Sequence, residues 1–207
     1  MNEKQEPSPG RGRTTLLMVI AIFAAPVLLA WFFTNGAISW LPHARVNYGT
    51  LVTPLINLSA IPFQDEAGKS SRLIQRYGEW TFAMVSGPDC PAECQDALDR
   101  MHRVRTALRD QMSRVRPLVL LTTGDPVAYR RQLSAVDPRL QIWRDADGRL
   151  NNALAPLAKL SADGHWRNRL LLVDYLGNAM MIYPLHPDME GVLKDLKRLL
   201  RASKTES

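Results

Sequence analysis

The only two cysteines of this chain of 207 residues, Cys90 and Cys94, lie where an apolar strand ends and a helix begins. The run 80–86 is apolar and contains β-branched and aromatic residues, which is typical of a buried strand. After Cys94, apolar side chains recur every three or four residues, which predicts an amphipathic helix from Pro91 to about Met112. We therefore place both cysteines at a strand–loop–helix junction, with Pro91 at the first helical position.

This position leaves three roles open for the cysteine pair. A helix N-terminus carries unpaired N–H groups and about half a positive charge, which stabilise a thiolate such as that of Cys90, the nearer residue. Residues four apart on a helix share one face, so Cys90 and Cys94 are within reach of a disulfide bond and could also chelate copper or zinc. The two cysteines alone do not distinguish a redox pair, a metal site and a permanent structural disulfide.

The elements around this junction predict an α/β domain. We expect a strand pair at 51–52 and 55–56, a helical turn at 70–77, a strand at 118–122, a helix from Gly124 to about Ala135, a short strand at 141–143, a short helix at 149–160, a hairpin of 169–174 with 179–183, and a closing helix capped by Asp188. A strand–helix–strand order implies a parallel, right-handed crossover, and the late hairpin adds antiparallel strands. The predicted fold class is thioredoxin-like, with a mixed central sheet and flanking helices.

An uncharged apolar run at 14–33 precedes this domain. As a helix it would be about 30 Å long, the thickness of a bilayer core, and no clear Ala-x-Ala cleavage site follows it, so we favour an uncleaved anchor over a signal peptide. Basic residues precede the run, and no Lys or Arg follows it before Arg45, which predicts a cytoplasmic N-terminus. We expect a disordered cytoplasmic tail at 1–13, one transmembrane helix at 14–33, and a periplasmic domain at 41–202 at a bacterial inner membrane.

Charge and motifs exclude several classes of function. The formal net charge is +6, but Lys and Arg are scattered along the chain and no nucleic-acid-binding motif is present, so we predict a solvated basic surface and no nucleic-acid partner. The sequence contains no Ser-His-Asp set, Walker loop, dinucleotide loop or zinc quartet. His43 and His186 are expected at the surface, and His102 is about 12 Å along the helix axis from Cys94, too far to share a metal with both sulfurs.

The segment from Trp80 through Cys90-Pro91-Ala92-Glu93-Cys94 to Leu98 resembles the Sco/SenC family, whose members assist cytochrome c oxidase assembly. The segment 171–178 resembles the later strand and turn of that family, and the closing helix matches in place. The resemblance covers roughly residues 45–200 in outline. It implies a thioredoxin fold behind one membrane anchor.

The resemblance also implies a function. Sco-like proteins handle copper or thiols for the oxidase subunit that carries the dinuclear copper centre, as accessory factors more than as enzymes. Two cysteines and a distal histidine bind copper in the family, and the matching residues here are Cys90, Cys94 and His165. In a thiol mechanism Cys90 is the expected nucleophile. Two alternatives stay open: a thioredoxin-like thiol–disulfide oxidoreductase, and a non-redox, membrane-tethered assembly module with a structural disulfide.

Overall fold

The computed structural model describes residues 9–34, 47–75, 77–133, 137–161, 164 and 166–203. The chain divides into two compact units, Met1–Val46 and Asn47–Ser207. The first unit contains helix α1 (Pro9–Thr34), which includes Pro26 and exposes apolar side chains such as Phe23 and Trp31. Across the described residues, the structure contains no helix with both the length and the apolar character of a membrane span.

The second unit contains the remaining described helices and strands. In chain order these are β1 (Thr50–Asn57), β2 (Phe63–Gln64), β3 (Ser70–Ser71), β4 (Trp80–Ser86), α2 (Ala92–Thr106), β5 (Val115–Leu121), α3 (Pro126–Gln132), β6 (Gln141–Asp145), α4 (Arg149–Leu154), β7 (Arg169–Val173), β8 (Asn178–Tyr183) and α5 (Met189–Ala202). Short 3-10 helices, Arg109–Arg114 and Ala155–Leu160, follow α2 and α4. The described strands form one eight-stranded sheet in the order β1-β8-β7-β4-β5-β6-β2-β3.

The centre of the sheet has the predicted mixed topology. Strands β4 and β5 are parallel, as are β5 and β6, whereas β7 is antiparallel to both β4 and β8. Ala83, in the middle of β4, lies opposite Leu118 on one side and Leu171 on the other. The predicted thioredoxin-like arrangement of a mixed sheet with flanking helices is therefore confirmed.

Strand β4 is buried along its whole length because both faces of the sheet are covered. Successive side chains of a strand point to opposite faces. Phe82 and Met84 accordingly belong to a core cluster with the apolar residues of α2 and α5, while Ala83 and Val85 belong to a second cluster with those of α4. The cysteine pair lies in the first cluster.

The structure corrects three of the predicted elements near the start of the domain and at the end of the cysteine helix. The expected strand pair is a single edge strand, β1, which pairs with β8 through an irregularity between Leu51 and Ile56. The expected helical turn at 70–77 instead begins with β3, because the Asp65 carboxylate accepts hydrogen bonds from two backbone N–H groups and closes a β2–β3 turn. Helix α2 ends at Thr106, and Val115, which fits the helical spacing, pairs with Trp80 as the first residue of β5.

Candidate functional site

Cys90 and Cys94 form a disulfide bond, with their Cα atoms 5.1 Å apart. The loop that follows Ser86, the last residue of β4, carries Cys90, and Cys94 lies in the first turn of α2. Only 4% of Cys90 and 6% of Cys94 is exposed. The structure thus brings the two predicted cysteines together in the oxidised form, at a nearly buried position at the end of a central strand.

The two cysteines differ in their relation to the helix. The chain is still extended at Pro91, which is the N-cap of α2 and not its first helical residue, so that part of the prediction is wrong. Cys90 consequently precedes the helix, whereas Cys94 is its third residue, after Ala92 and Glu93. Within the described part of the chain, no side chain caps this terminus. The helix dipole and the N–H groups of the first turn therefore favour negative charge at this terminus, where the bonded sulfurs of Cys90 and Cys94 both lie.

Tyr129 of α3 contacts the disulfide directly. Its hydroxyl oxygen lies 3.1 Å from Cys94 Sγ and 3.0 Å from Ser86 Oγ. The side chain is fully buried, and this burial raises the pKa of Tyr129 to about 12, although the hydrogen bond with Ser86 acts in the opposite direction. The hydroxyl therefore keeps its proton at neutral pH. In the structure it donates this one proton to Ser86 Oγ, and it can donate to the sulfur of Cys94 instead if the Ser86 hydroxyl rotates and donates to the tyrosine oxygen.

Two glutamines hold the backbone around Cys90. The Cys90 N–H donates to Gln132 Oε1 at 2.9 Å, and Gln132 Nε2 donates to the Pro88 carbonyl at 3.2 Å. Gln95 Nε2 donates to the carbonyls of Cys90 and Gln132, at 3.2 Å in each case. Tyr129 and Gln132 are three residues apart in α3 and so share one face. One short helix thus contacts both members of the pair.

Gly124 allows the loop before α3 to pack against the loop that carries Cys90. Its φ of +100° lies in the left-handed region. A Cβ atom at Gly124 would lie 2.9 Å from Pro88 Cβ and 3.0 Å from Pro88 Cα, which leaves no room for any side chain. Beside this contact, the backbone N–H and the hydroxyl of Thr122 donate to the Ser86 carbonyl. These contacts position α3, and with it Tyr129, against the disulfide.

The structure places two of the four histidines beside carboxylates. His102 Nδ1 is 3.0 Å from Asp137 Oδ2, and His186 Nδ1 is 3.5 Å from Asp96 Oδ2. His43 and the predicted copper ligand His165 lie outside the described residues. Among the residues that are described, no group of three or more His, Cys, Asp and Glu side chains could hold a metal ion. The described part of the predicted copper site is therefore the Cys90–Cys94 disulfide alone, whose sulfurs become soft thiolate ligands of the kind that Cu(I) prefers once they are reduced.

Sequence reasoning missed Tyr129, Gln132, Gln95 and Ser86 as residues of this site. A local signal existed for Tyr129, an aromatic residue in a short helix that otherwise carries Arg130, Arg131 and Gln132 at its end. The Gln132 contact carried no such signal, because 42 residues separate Cys90 from Gln132 and no sequence period links them.

Comparison with solved structures supports the fold. Apo Sco1 from Thermus thermophilus is 16% identical, with 74% of this chain and 96% of that one covered and a TM-score of 0.58. Copper-bound yeast Sco1 is 16% identical, with coverages of 73% and 95% and a TM-score of 0.53. BsSco, a member of the Sco family of cytochrome c oxidase assembly proteins in which a disulfide switch has been identified, is 15% identical, with coverages of 72% and 98% and a TM-score of 0.51. At these identities the similarity establishes a shared fold, and at that level it confirms the predicted resemblance to Sco proteins.

A family model supplies the assignment. No curated protein matches the chain. The model described as transmembrane-like, thioredoxin-like, C-terminal domain matches residues 80–203, from the first residue of β4 to the end of α5. That range is more than half of the chain and includes both cysteines and the whole of α3. The chain therefore belongs to the family of transmembrane-like, thioredoxin-like C-terminal domains.

Proposed function

We propose that this protein is a membrane-anchored, Sco-like accessory factor for cytochrome c oxidase biogenesis whose Cys90–Cys94 pair exchanges electrons with cysteines of an oxidase subunit. The observation that carries the proposal is the disulfide at the start of α2, with the Tyr129 hydroxyl 3.1 Å from one of its sulfurs. A helix terminus and a hydroxyl donor both stabilise a thiolate, which is the species that exchange requires. The disulfide switch identified in BsSco, a protein of the same fold, supports the same role.

A purely structural disulfide explains less of this geometry. A cross-link between residues four apart closes a very short loop and contributes only about 2 kcal/mol by loop-closure entropy. Such a cross-link does not need a buried hydroxyl at its sulfur or two glutamines on its backbone. In the exchange reaction, by contrast, the disulfide accepts two electrons and two protons from two client thiols and becomes two cysteines. The reduced pair carries out the reverse reaction on a client disulfide.

The proposal includes a membrane anchor and a periplasmic location. The uncharged run 14–33 lies within α1, and basic residues precede that run, which supports a single span with a cytoplasmic N-terminus. The second unit then lies in the periplasm of a bacterium, at the inner membrane. Disulfides form and persist in that compartment, so a cysteine pair there can cycle between its two states.

The first test is the reduction potential of the pair. Full-length protein in detergent is equilibrated with mixtures of reduced and oxidised glutathione, and free thiols are then labelled with a maleimide mass tag. We expect half-reduction at a potential above about −300 mV, the value below which structural disulfides usually lie. Matched Cys90→Ser and Cys94→Ser variants control for labelling of a single thiol. A pair that stays oxidised in every mixture would identify a structural disulfide and contradict the proposal.

Copper as cargo is the second candidate function, supported by the copper-bound structure of yeast Sco1 and by the softness of two adjacent sulfurs. Reduced Cys90 and Cys94 would hold the ion, and we propose His165 as the third ligand. Anaerobic Cu(I) titration of the reduced full-length protein should then show one-to-one binding that Cys94→Ser abolishes. If the His165→Ala variant still binds Cu(I), His165 is not a ligand, and the two cysteines remain as the copper site. A reduced, folded protein that binds no Cu(I) would contradict the copper function and leave thiol exchange.

A further inference from the structure

We infer that Tyr129 is a positioning residue that makes the two cysteines unequal: its hydroxyl holds Cys94 as the internal thiolate and leaves Cys90 as the sulfur that bonds to the client. The inference rests on the proposed thiol-exchange function and adds a division of roles to it. The two contact patterns carry it. Tyr129 approaches Cys94 at its sulfur, whereas Gln132 and Gln95 hold Cys90 through its backbone N–H and carbonyl.

The helix dipole stabilises a thiolate at either cysteine, because the two sulfurs are bonded to each other at the start of α2. The contact with Tyr129 is therefore what separates them. The Tyr129 hydroxyl, protonated at neutral pH, adds a charge-assisted hydrogen bond once Cys94 becomes a thiolate. Both cysteines are nearly buried, Cys90 at 4% exposed and Cys94 at 6%, so exposure does not select the sulfur that a client attacks. Attack on Cys90 is the favoured route because it releases the thiolate at Cys94, where the Tyr129 hydroxyl can stabilise it.

The reaction then follows a definite order. A client thiolate attacks Cys90 Sγ, a client–Cys90 disulfide forms, and the Cys90–Cys94 bond breaks. The bonding electron pair goes to Cys94, whose thiolate accepts the hydrogen bond of Tyr129. A second client thiolate attacks the client sulfur of this mixed disulfide, and Cys90 leaves as a thiolate that takes a proton from water. In the reverse direction Cys90 attacks the client disulfide, which is the nucleophilic role that the sequence predicted for it.

Single-cysteine variants of the full-length protein test the inference, because any alkylation that is measured then belongs to one known cysteine. Cys90→Ser isolates Cys94, and its rate of alkylation by iodoacetamide is measured against pH. Because a charge-assisted hydrogen bond to the thiolate is lost, adding Tyr129→Phe should move the midpoint of this profile up by about one pH unit. The same Tyr129→Phe change in a Cys94→Ser background should leave the profile of Cys90 unchanged. An unmoved Cys94 profile, or equal shifts for both cysteines, would overturn the inference.

The protein with both cysteines gives a second measurement, the reduction potential of the pair. This potential would not change on substitution of Tyr129 if the role of that residue were only structural. In Tyr129→Phe, loss of thiolate stabilisation should lower the equilibrium constant for reduction about tenfold. For a two-electron couple this makes the reduction potential about 30 mV more negative. Tyr77→Phe, at a half-exposed tyrosine elsewhere in the domain, should leave the potential unchanged. If the wild type does not exchange with glutathione at all, the proposed function fails. If it exchanges and Tyr129→Phe has the wild-type potential, only the inference about Tyr129 fails.

A third measurement needs no variant at Tyr129, so it stands even if that substitution disturbs folding. Oxidised wild-type protein is mixed with reduced glutathione, the reaction is stopped with acid within its first turnover, and the adduct is located by peptide mass spectrometry. We expect the glutathione on Cys90. An adduct mainly on Cys94 would overturn the division of roles.

Discussion

Replacing Asp137 by alanine is expected to lower the free energy of unfolding by about 3–5 kcal/mol, the usual effect of leaving a buried charge without its partner. Arg105 of α2 is fully buried and Asp137 is 3% exposed. The guanidinium donates two hydrogen bonds to this carboxylate, from Nε at 3.0 Å and from a terminal nitrogen at 3.2 Å. Burial lowers the pKa of Arg105, and the charge of Asp137 acts against that shift. Without the carboxylate, the cation would remain in the core with nothing to offset its lost hydration.

Urea denaturation of three variants separates this effect from a general loss of surface charge. Asp96→Ala removes an exposed ion pair with Arg100 and the exposed contact with His186, and should cost no more than about 1 kcal/mol. The double variant Arg105→Met with Asp137→Ala removes the buried cation as well and should recover part of the stability lost in Asp137→Ala, because the contacts of Asp137 with His102 and with the Arg139 N–H stay lost. If Asp137→Ala were no less stable than Asp96→Ala, Arg105 would have to reach water or another anion in the variant, and the buried ion pair would not stabilise the protein.

The buried ion pair also bears on the site. Arg105 is on the helix that begins beside the cysteines, and Asp137 follows the helix that carries Tyr129 and Gln132. The pair therefore joins α2 to the segment after α3 at a point away from the disulfide. We attribute the defined contact between α3 and the cysteines to these two attachments together, the ion pair at one end and the packing of Gly124 on Pro88 at the other.

The central strands could be predicted from the sequence because burial on both faces makes a strand continuously apolar. Strands β4 and β7 show that pattern, as does β5 from Leu118 onward, and their order together with α2 is sufficient for the thioredoxin-like topology. The edges of the sheet could not be predicted in the same way. Strands β2 and β3 are two residues long, and β1 is mostly exposed and contains Pro54, so neither hydrophobic periodicity nor turn residues identify their partners.

The site was predictable only as far as its chemistry lies in one stretch of chain. Two cysteines four residues apart at a strand–helix junction are visible in the sequence and lie together in the structure. Tyr129 and Gln132 reach them from the next βα unit, and that contact depends on a glycine with φ of +100°. The sequence could indicate a turn at Gly124, but not which loop it would meet. His165, which lies outside the described residues, stays a prediction.

Asp195→Ala is expected to destabilise the protein by about 3 kcal/mol or more, because several buried donors would lose one shared acceptor. Asp195 on α5 is 1% exposed. Its Oδ2 accepts hydrogen bonds from the backbone N–H groups of Tyr48 and Gly49 and from the Tyr183 hydroxyl, each at 2.9 Å. The carboxylate thus joins the residues just before β1 to α5 and to the end of β8. These donors are already packed tightly, since a Cβ atom on Gly49 would lie 2.5 Å from the Tyr183 ring.

Tyr183→Phe is the matched control, because it removes one of these donors and keeps the carboxylate. Urea denaturation near pH 7 should show a loss of about 1–1.5 kcal/mol for Tyr183→Phe, at most half of that for Asp195→Ala. Burial and the charge of Asp195 raise the pKa of Tyr183 above its usual range, so this hydroxyl is protonated in the folded protein at the pH of the measurement. Equal losses in the two variants would mean that the backbone donors of Tyr48 and Gly49 gain nothing from Asp195. In that case pairing with β8 alone would hold the start of β1 in place.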